Sequence, residues 1–249
     1  MPAIILAVIP VLLPELVFAA QDLTLPSMSL TLSGGAPEPE KVSVLLEVLF
    51  LLTILSLAPA IMLTVTSFTR IIIVFSFLRQ AMGVQQLPPT QILASLAIFL
   101  TVVIMFPVGR QINDEALQPY LNEQIDYRVA LDRAQIPLRN FMFKHTREKD
   151  LSIFYSISRM EAPKNKEEVP TMMLAAAFII SELKTAFTIG FLIYIPFLVM
   201  DMVISSVLLA MGMMMLPPMM VSMPFKLLLF VMVDGWNLMV GSLVNSFLL

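Results

Sequence analysis

Met211-Gly-Met-Met-Met-Leu-Pro-Pro-Met-Met-Val-Ser-Met223 separates two long apolar runs, and its reading decides how the last third of the chain folds. Pro217-Pro218 cannot continue a helix, because proline lacks the amide donor and its ring meets the preceding turn. The stretch is therefore read as the tip of a hairpin with an apolar helix on either side. Methionine is unbranched and polarizable, so it conforms to changing shapes without offering polar grip. Gap filling at a helix–helix contact is its ordinary use. Three consecutive methionines point in three directions on a helix, however, and Met213, Met214 and Met215 cannot all fill one groove. A soft apolar constriction built from several copies around a narrow axis suits them better.

Five charges flank this tip in an otherwise apolar third: Glu182, Lys184, Asp201, Lys226 and Asp234. One charge at the centre of a lone spanning helix costs about 2.5–3.5 kcal/mol on insertion scales, so these residues face protein, water or another subunit. Glu182 and Lys184 lie about 200° apart around a helix and cannot pair within it. Each needs a partner elsewhere, and Lys226 is a candidate for Glu182, in the same chain or a neighbouring copy. Lys226 and Asp234 are separated by about 12 Å along a helix, so they do not satisfy each other. Two readings stay open: ion pairs that order helices, and charges that serve transport, including a proton relay through Asp201 or Glu182.

Composition supports an all-α membrane protein. Hydrophobic residues make up 58% of the 249 and charged residues 13%, with a mean hydropathy of +0.89. A soluble core of this size is covered by far more charge. The net charge of -3 and the lack of a basic run exclude a nucleic-acid partner. There is no cysteine, hence no disulfide, thiol nucleophile or cysteine-held metal. The single histidine, His145, rules out a multi-histidine metal site in one chain and is expected at the surface of a helix end. No cofactor is implied.

Residues 1–20 read as a signal peptide, with a short apolar stretch from Ile4 to Val8 and small residues at its close; 21–41 are a polar linker. Residues 42–108 form a first hydrophobic helical hairpin. Val48 to Thr69 carries no charge and is long enough to cross the roughly 30 Å hydrocarbon layer, with Pro59 expected to kink it. Ile92 to Pro107 is the second arm. Between them Arg70 and Arg79 bracket the apolar octet Ile71 to Leu78, a connection placed on the cytoplasmic side by its positive charge. The amino terminus then lies outside.

Residues 109–170 change character. Positions 109–168 hold 10 of the 15 Lys+Arg and 10 of the 18 Asp+Glu. Leu117, Leu121 and Ile125 form an amphipathic stripe, Pro137 starts a second helix through Phe141, and Leu151, Phe154 and Ile157 mark a third. This is a small helical extracytoplasmic domain. Residues 171–249 then form the second hydrophobic hairpin with its methionine-rich tip.

Four stretches now carry a resemblance: Thr69-Arg-Ile-Ile-Ile-Val-Phe-Ser-Phe-Leu-Arg-Gln-Ala-Met-Gly83, Ala177-Phe-Ile-Ile-Ser-Glu-Leu-Lys-Thr-Ala-Phe187, Ile195-Pro-Phe-Leu-Val-Met-Asp201, and Pro224-Phe-Lys226 through Val233-Asp-Gly-Trp236. In this order they resemble the FliP family, export-gate proteins of the flagellar type III secretion system, related to the SctR family of virulence injectisomes. The resemblance runs from about residue 42 to the end. It implies a pentameric ring joined by FliQ-like and FliR-like gate subunits, with FlhA-like and FlhB-like export components, in the bacterial inner membrane at the flagellar basal body. It implies that unfolded exported polypeptides pass along the ring axis, that the methionine constriction falls on Met213, Met214 and Met215, and that inter-subunit ion pairing falls on Glu182 and Lys226. Much of the assembled gate would stand clear of lipid.

Rival classes are judged on their own residues. A small-solute or ion transporter would use the intramembrane charges, but the two hydrophobic halves share no inverted repeat. A non-conducting scaffold for other pore subunits stays open. A membrane zinc protease needs His-Glu-x-x-His, which the chain lacks, so no enzyme activity is expected.

Overall fold

The computed structural model describes residues 39–84, 88–158, 163, 165–213 and 215–248, with side chains from residue 46 onward. The leader expected at 1–20, the linker up to residue 38 and Met214 lie outside the described residues. The chain divides into two units, residues 1–51 and 52–249. Of the first, the described residues form the opening turns of helix α1 (Pro39–Thr64), with Leu46, Leu49, Phe50 and Leu51 exposed. The second unit holds the rest. All regular elements among the described residues are helical, in keeping with the expected fold class.

Helix α1 stops at Thr64, five residues short of the span expected from its lack of charge. The Thr64 and Thr66 hydroxyls donate to the carbonyls of Ile61 and Leu63 at 2.8 and 3.1 Å. Such local bonding offers the backbone an alternative to continued helix. Ser67 then opens helix α2 (Phe68–Ala81).

Sequence reading treated α2 as a short connection, and the structure corrects this. Arg70, Ile71, Val74, Phe75, Leu78 and Ala81 are buried, at the spacing of one helix face. Ile71, Val74, Phe75 and Ala81 expose nothing at all. Helix α2 is the enclosed centre of the fold, packed on the long helix α7 (Thr171–Ala210) and against α3 (Thr90–Ile112). Hydropathy alone hides the face because nearly every residue between the two arginines is apolar.

Helix α3 runs on through one π turn, Asn113–Leu117, into α4 (Gln118–Leu121), so 32 residues from Thr90 to Leu121 form one apolar rod. The expected stripe is not a packing face: Leu117 and Leu121 are exposed. Helix α5 (Tyr127–His145) contains Pro137 in its interior, buried, rather than starting there. Helix α6 (Glu148–Ser158) lies where the third helix was expected, but it buries Asp150 and Tyr155 and exposes Ile157. Both α5 and α6 pack along α7, so the charged segment leans on the hydrophobic rod. Their shared core joins Met142, Tyr155, Val169, Leu174 and Phe178.

At 40 residues, α7 is about 60 Å long, twice the hydrocarbon thickness. Past the tip come α8 (Pro218–Met232) and α9 (Gly235–Leu248), bent by 65° at Val233-Asp234. Asp234 takes up the bend with φ +51°, a left-handed conformation that its short polar side chain tolerates. The helices long and apolar enough to span bury little of themselves: none of the α1 window and 11% of the α7 window.

Close approach of α2 to α7 depends on Gly190. A Cβ placed there would lie 2.6 Å from Phe77 Cγ and Cδ2 and 3.0 Å from Phe77 Cβ. Those atoms are the root of the side chain, which cannot swing clear without moving α2. Gly190→Ala is expected to destabilise the second unit by about 1–3 kcal/mol. Thermal melting of the detergent-solubilised protein checks this; an unchanged midpoint would mean the two helices part freely.

Candidate functional site

Three polar clusters lie along α7, and the methionine tip lies beyond its end. The first cluster centres on Arg70. Its Nε donates to Glu182 Oε2 at 2.7 Å, and Nη2 donates to Glu182 Oε1. Nη1 donates at 2.9 Å to both the carbonyl and the hydroxyl oxygen of Ser246. The guanidinium carbon sits 3.7 Å from the centroid of the Phe247 ring. Arg70 is 3% exposed and Glu182 is fully enclosed, so neither finds water. The planar guanidinium suits this work because its fork meets the carboxylate on two bonds and still has a nitrogen free to donate to α9 and a face for an aromatic ring.

Arg70 is the buried partner of Glu182, and this revises one expectation. Glu182 does not await Lys226, because its oxygens are engaged within the subunit. Arg79 behaves differently: it is half-buried and Nη1 donates to Thr90 Oγ1 at 2.7 Å across the α2–α3 connection.

The carboxyl-terminal turn of α9 is seated at the same place. Phe247 stacks on Phe141 with centroids 6.3 Å apart and meets the edge of His145 at 5.3 Å. Lys144 Nζ donates to the Leu248 carbonyl at 3.1 Å. His145, expected at the surface, is half-buried between these rings. Burial, then the Arg70 guanidinium and the Lys144 ammonium, push the imidazole down to about 4. The fold therefore holds the neutral ring, whereas the unfolded chain protonates near 6.5. Stability from this site is full above pH 6.5 and is lost as pH falls towards 4. A melting midpoint that drops over that interval, with the drop reduced in His145→Phe, is the expected result. A pH profile identical in the two proteins would contradict it.

Ser181, next to Glu182 on α7, serves the second cluster. Its hydroxyl donates to Asp150 Oδ2 at 2.6 Å and accepts the Arg147 backbone N–H at 3.0 Å. Arg147 Nε donates to Asp150 Oδ2 at 2.8 Å. Burial pushes the Asp150 carboxyl up, but the bonds from Ser181 and Arg147 outweigh it and hold the group below the ordinary carboxylate range. Neighbouring residues of α7 thus bind different elements: Ser181 the α5–α6 corner, Glu182 helix α2.

The third cluster lies toward the tip. Lys226 Nζ donates to Asp201 Oδ2 at 2.6 Å and to the Ala81 carbonyl at 3.2 Å. Ser222 Oγ donates to Asp201 Oδ1 at 2.6 Å. Lys226 is 4% exposed at its side chain and Asp201 30%. Lys184 lies on the exposed side of α7 and hydrogen-bonds into no cluster, though its charge helps lower the Asp150 carboxyl, and Asp234 stands apart, its Oδ2 accepting from Asn237 Nδ2 at 3.1 Å.

The tip itself spans residues 211–217 between α7 and α8. Gly212, at φ +74°, starts the turn. Met213 is 39% exposed and Met215 98%. Met211, Met219 and Met220 are exposed as well, so the tip offers thioethers on several sides and packs few of them. Among the described residues no group of His, Cys, Asp or Glu is arranged to hold a metal.

Sequence reasoning missed Ser181, Asp150, Ser222, Ser246 and Phe247. A usable signal existed for two: Ser181 and Ser222 are small hydroxyls inside otherwise apolar helices, one beside and one four residues before a charge.

A sequence profile of the FliP family matches residues 51–243. The chain is 52% identical over 213 residues to the flagellar biosynthetic protein FliP of Bacillus subtilis (strain 168), covering 86% of this chain and 96% of that one. It is 51% identical over 201 residues to that of Pectobacterium carotovorum subsp. carotovorum, with 81% and 78% covered. With that of Caulobacter vibrioides it shares 46% over 221 residues, with 89% and 82% covered.

Proposed function

The chain belongs to the FliP family, and on that premise we propose that it is a core subunit of the flagellar type III protein export gate. Several copies form a ring in the bacterial inner membrane at the flagellar basal body. Unfolded export substrates thread its axis, and Met213, Met214 and Met215 close it at rest. FliQ-like and FliR-like subunits complete the gate, and FlhA-like and FlhB-like components adjoin it. The amino terminus and residues 109–168 face the periplasm.

The observation that carries this reading is the match over residues 51–243 together with the exposed methionine tip at the α7–α8 turn. The nearly uncovered apolar helices support assembly, since lipid or neighbouring subunits must cover them. The length of α7 supports a gate that stands partly clear of the bilayer. The Arg70–Glu182 pair weighs against a solute transporter: Glu182 is enclosed and bound on both oxygens, so that carboxylate is not free to take a coupling ion.

Photo-crosslinking from position 215 in living cells tests the conduit. Adducts to exported flagellar proteins are expected. Adducts confined to this chain and other membrane subunits would leave only an assembly role.

A further inference from the structure

We propose that Lys226 positions the methionine tip: with Asp201 and Ser222 it forms a releasable latch that holds α8 against α7 and α2, and α8 carries the tip when the latch opens. The inference rests on the constriction reading above. Its evidence lies in how α8 is held. Only Ser222, Lys226 and Phe230 are buried on this 15-residue helix. Met219, Met220, Val231 and Met232 are all more than 60% exposed. Two of the three anchors are polar, so directional bonds hold the helix together with the apolar seat of Phe230 in the main core.

Left-handed backbone positions lie beyond each end of α8: Gly212 at φ +74°, just past the end of α7, and Asp234 at φ +51°, before α9. The chain changes direction on both sides of the helix. Between them, Lys226 reaches two separate elements: Asp201 on α7 and the Ala81 carbonyl at the end of α2, where a helix dipole favours a cation. Ser222 engages the other Asp201 oxygen, so one carboxylate fastens two turns of α8.

Comparison with the Arg70 cluster explains why this pair can let go. Arg70 and Glu182 are sealed, and separating them leaves buried charge without compensation. Asp201 is 30% exposed, so water can replace the lysine as it leaves. One ion pair is built to stay and the other to release.

The experiment uses Asp201→Cys with Ser222→Cys. The chain has no cysteine of its own, and Ser222 Oγ lies 2.6 Å from Asp201 Oδ1, one bond beyond where a cysteine sulfur at 201 would stand. Oxidation ties α8 to α7; reduction leaves the same protein with the latch removed, so each preparation is its own folding control, confirmed by equal assembly on native gels. Export of flagellar proteins is expected to stop in the oxidised state and return on reduction. Lys226→Met is expected to raise ion leak at rest several-fold, with Lys226→Arg close to the unaltered protein. Normal export with the disulfide formed would overturn the latch, as would failure of both oxidant and a short bismaleimide to join the two thiols. If position 215 captures no exported protein while the disulfide still blocks export, the constriction reading fails and the latch stands. If position 215 captures them and the disulfide is without effect, the latch alone fails.

Discussion

Replacing Arg70 by Met is expected to destabilise the second unit by about 3–5 kcal/mol, because Glu182 is left enclosed without the guanidinium that binds both its oxygens. The melting midpoint in detergent should fall by roughly 10 °C, at a few degrees per kcal/mol for a unit of this size. Protease resistance of α9 should fall with it, since Ser246 and Phe247 lose their anchor. Glu182→Leu alone should cost a similar amount by stranding the guanidinium. The informative protein is the double variant, Arg70→Met with Glu182→Leu. Replacing a whole buried pair by apolar groups of like volume is often neutral or better, so most of the loss should return. Singles that cost under about 1 kcal/mol would mean that water reaches the pair. A double variant as unstable as the sum of the singles would mean that the bonds to Ser246, not the ion pair, hold the centre together.

Met213, Met214 and Met215 replaced together by Ala should raise resting ion leak while leaving assembly largely intact. Met213 and Met215 are already exposed in the subunit, so removing their side chains vacates space at the tip without opening a cavity in the core. Stability should therefore change by less than about 0.5 kcal/mol, the range of ordinary surface substitutions. Collapse of the membrane potential in cells with the gate assembled is the readout. Unchanged potential and growth, even with the gate held open, would remove the constriction from these residues.

These two variants act on different terms. Arg70 and Glu182 belong to the internal bonding of one subunit, where loss appears as unfolding. In the proposed gate the tip works only in the assembly, where its loss is expected to appear as leak in a folded protein. A variant such as Gly190→Ala falls with the first kind, because it forces apart α2 and α7.

Much of this was legible from residues. The lack of charge across long apolar runs dictated membrane-class helices, since a bilayer leaves the backbone no other partner than itself. Pro217-Pro218 dictated a turn after the methionines. The rarity of charge in the last third singled out Glu182, Asp201 and Lys226 as residues that need partners, and the four motifs named the family. What the sequence could not give was which partner. An ion pair is a statement about distance, and Arg70 lies 112 positions from Glu182. Nor could it give the place of α2: inside a run where nearly every residue is apolar, periodicity does not separate a buried face from an exposed one. Only the packing of α7 against α2, close at Gly190 and charged at Glu182, decides that the short helix between the arginines is the centre of the fold.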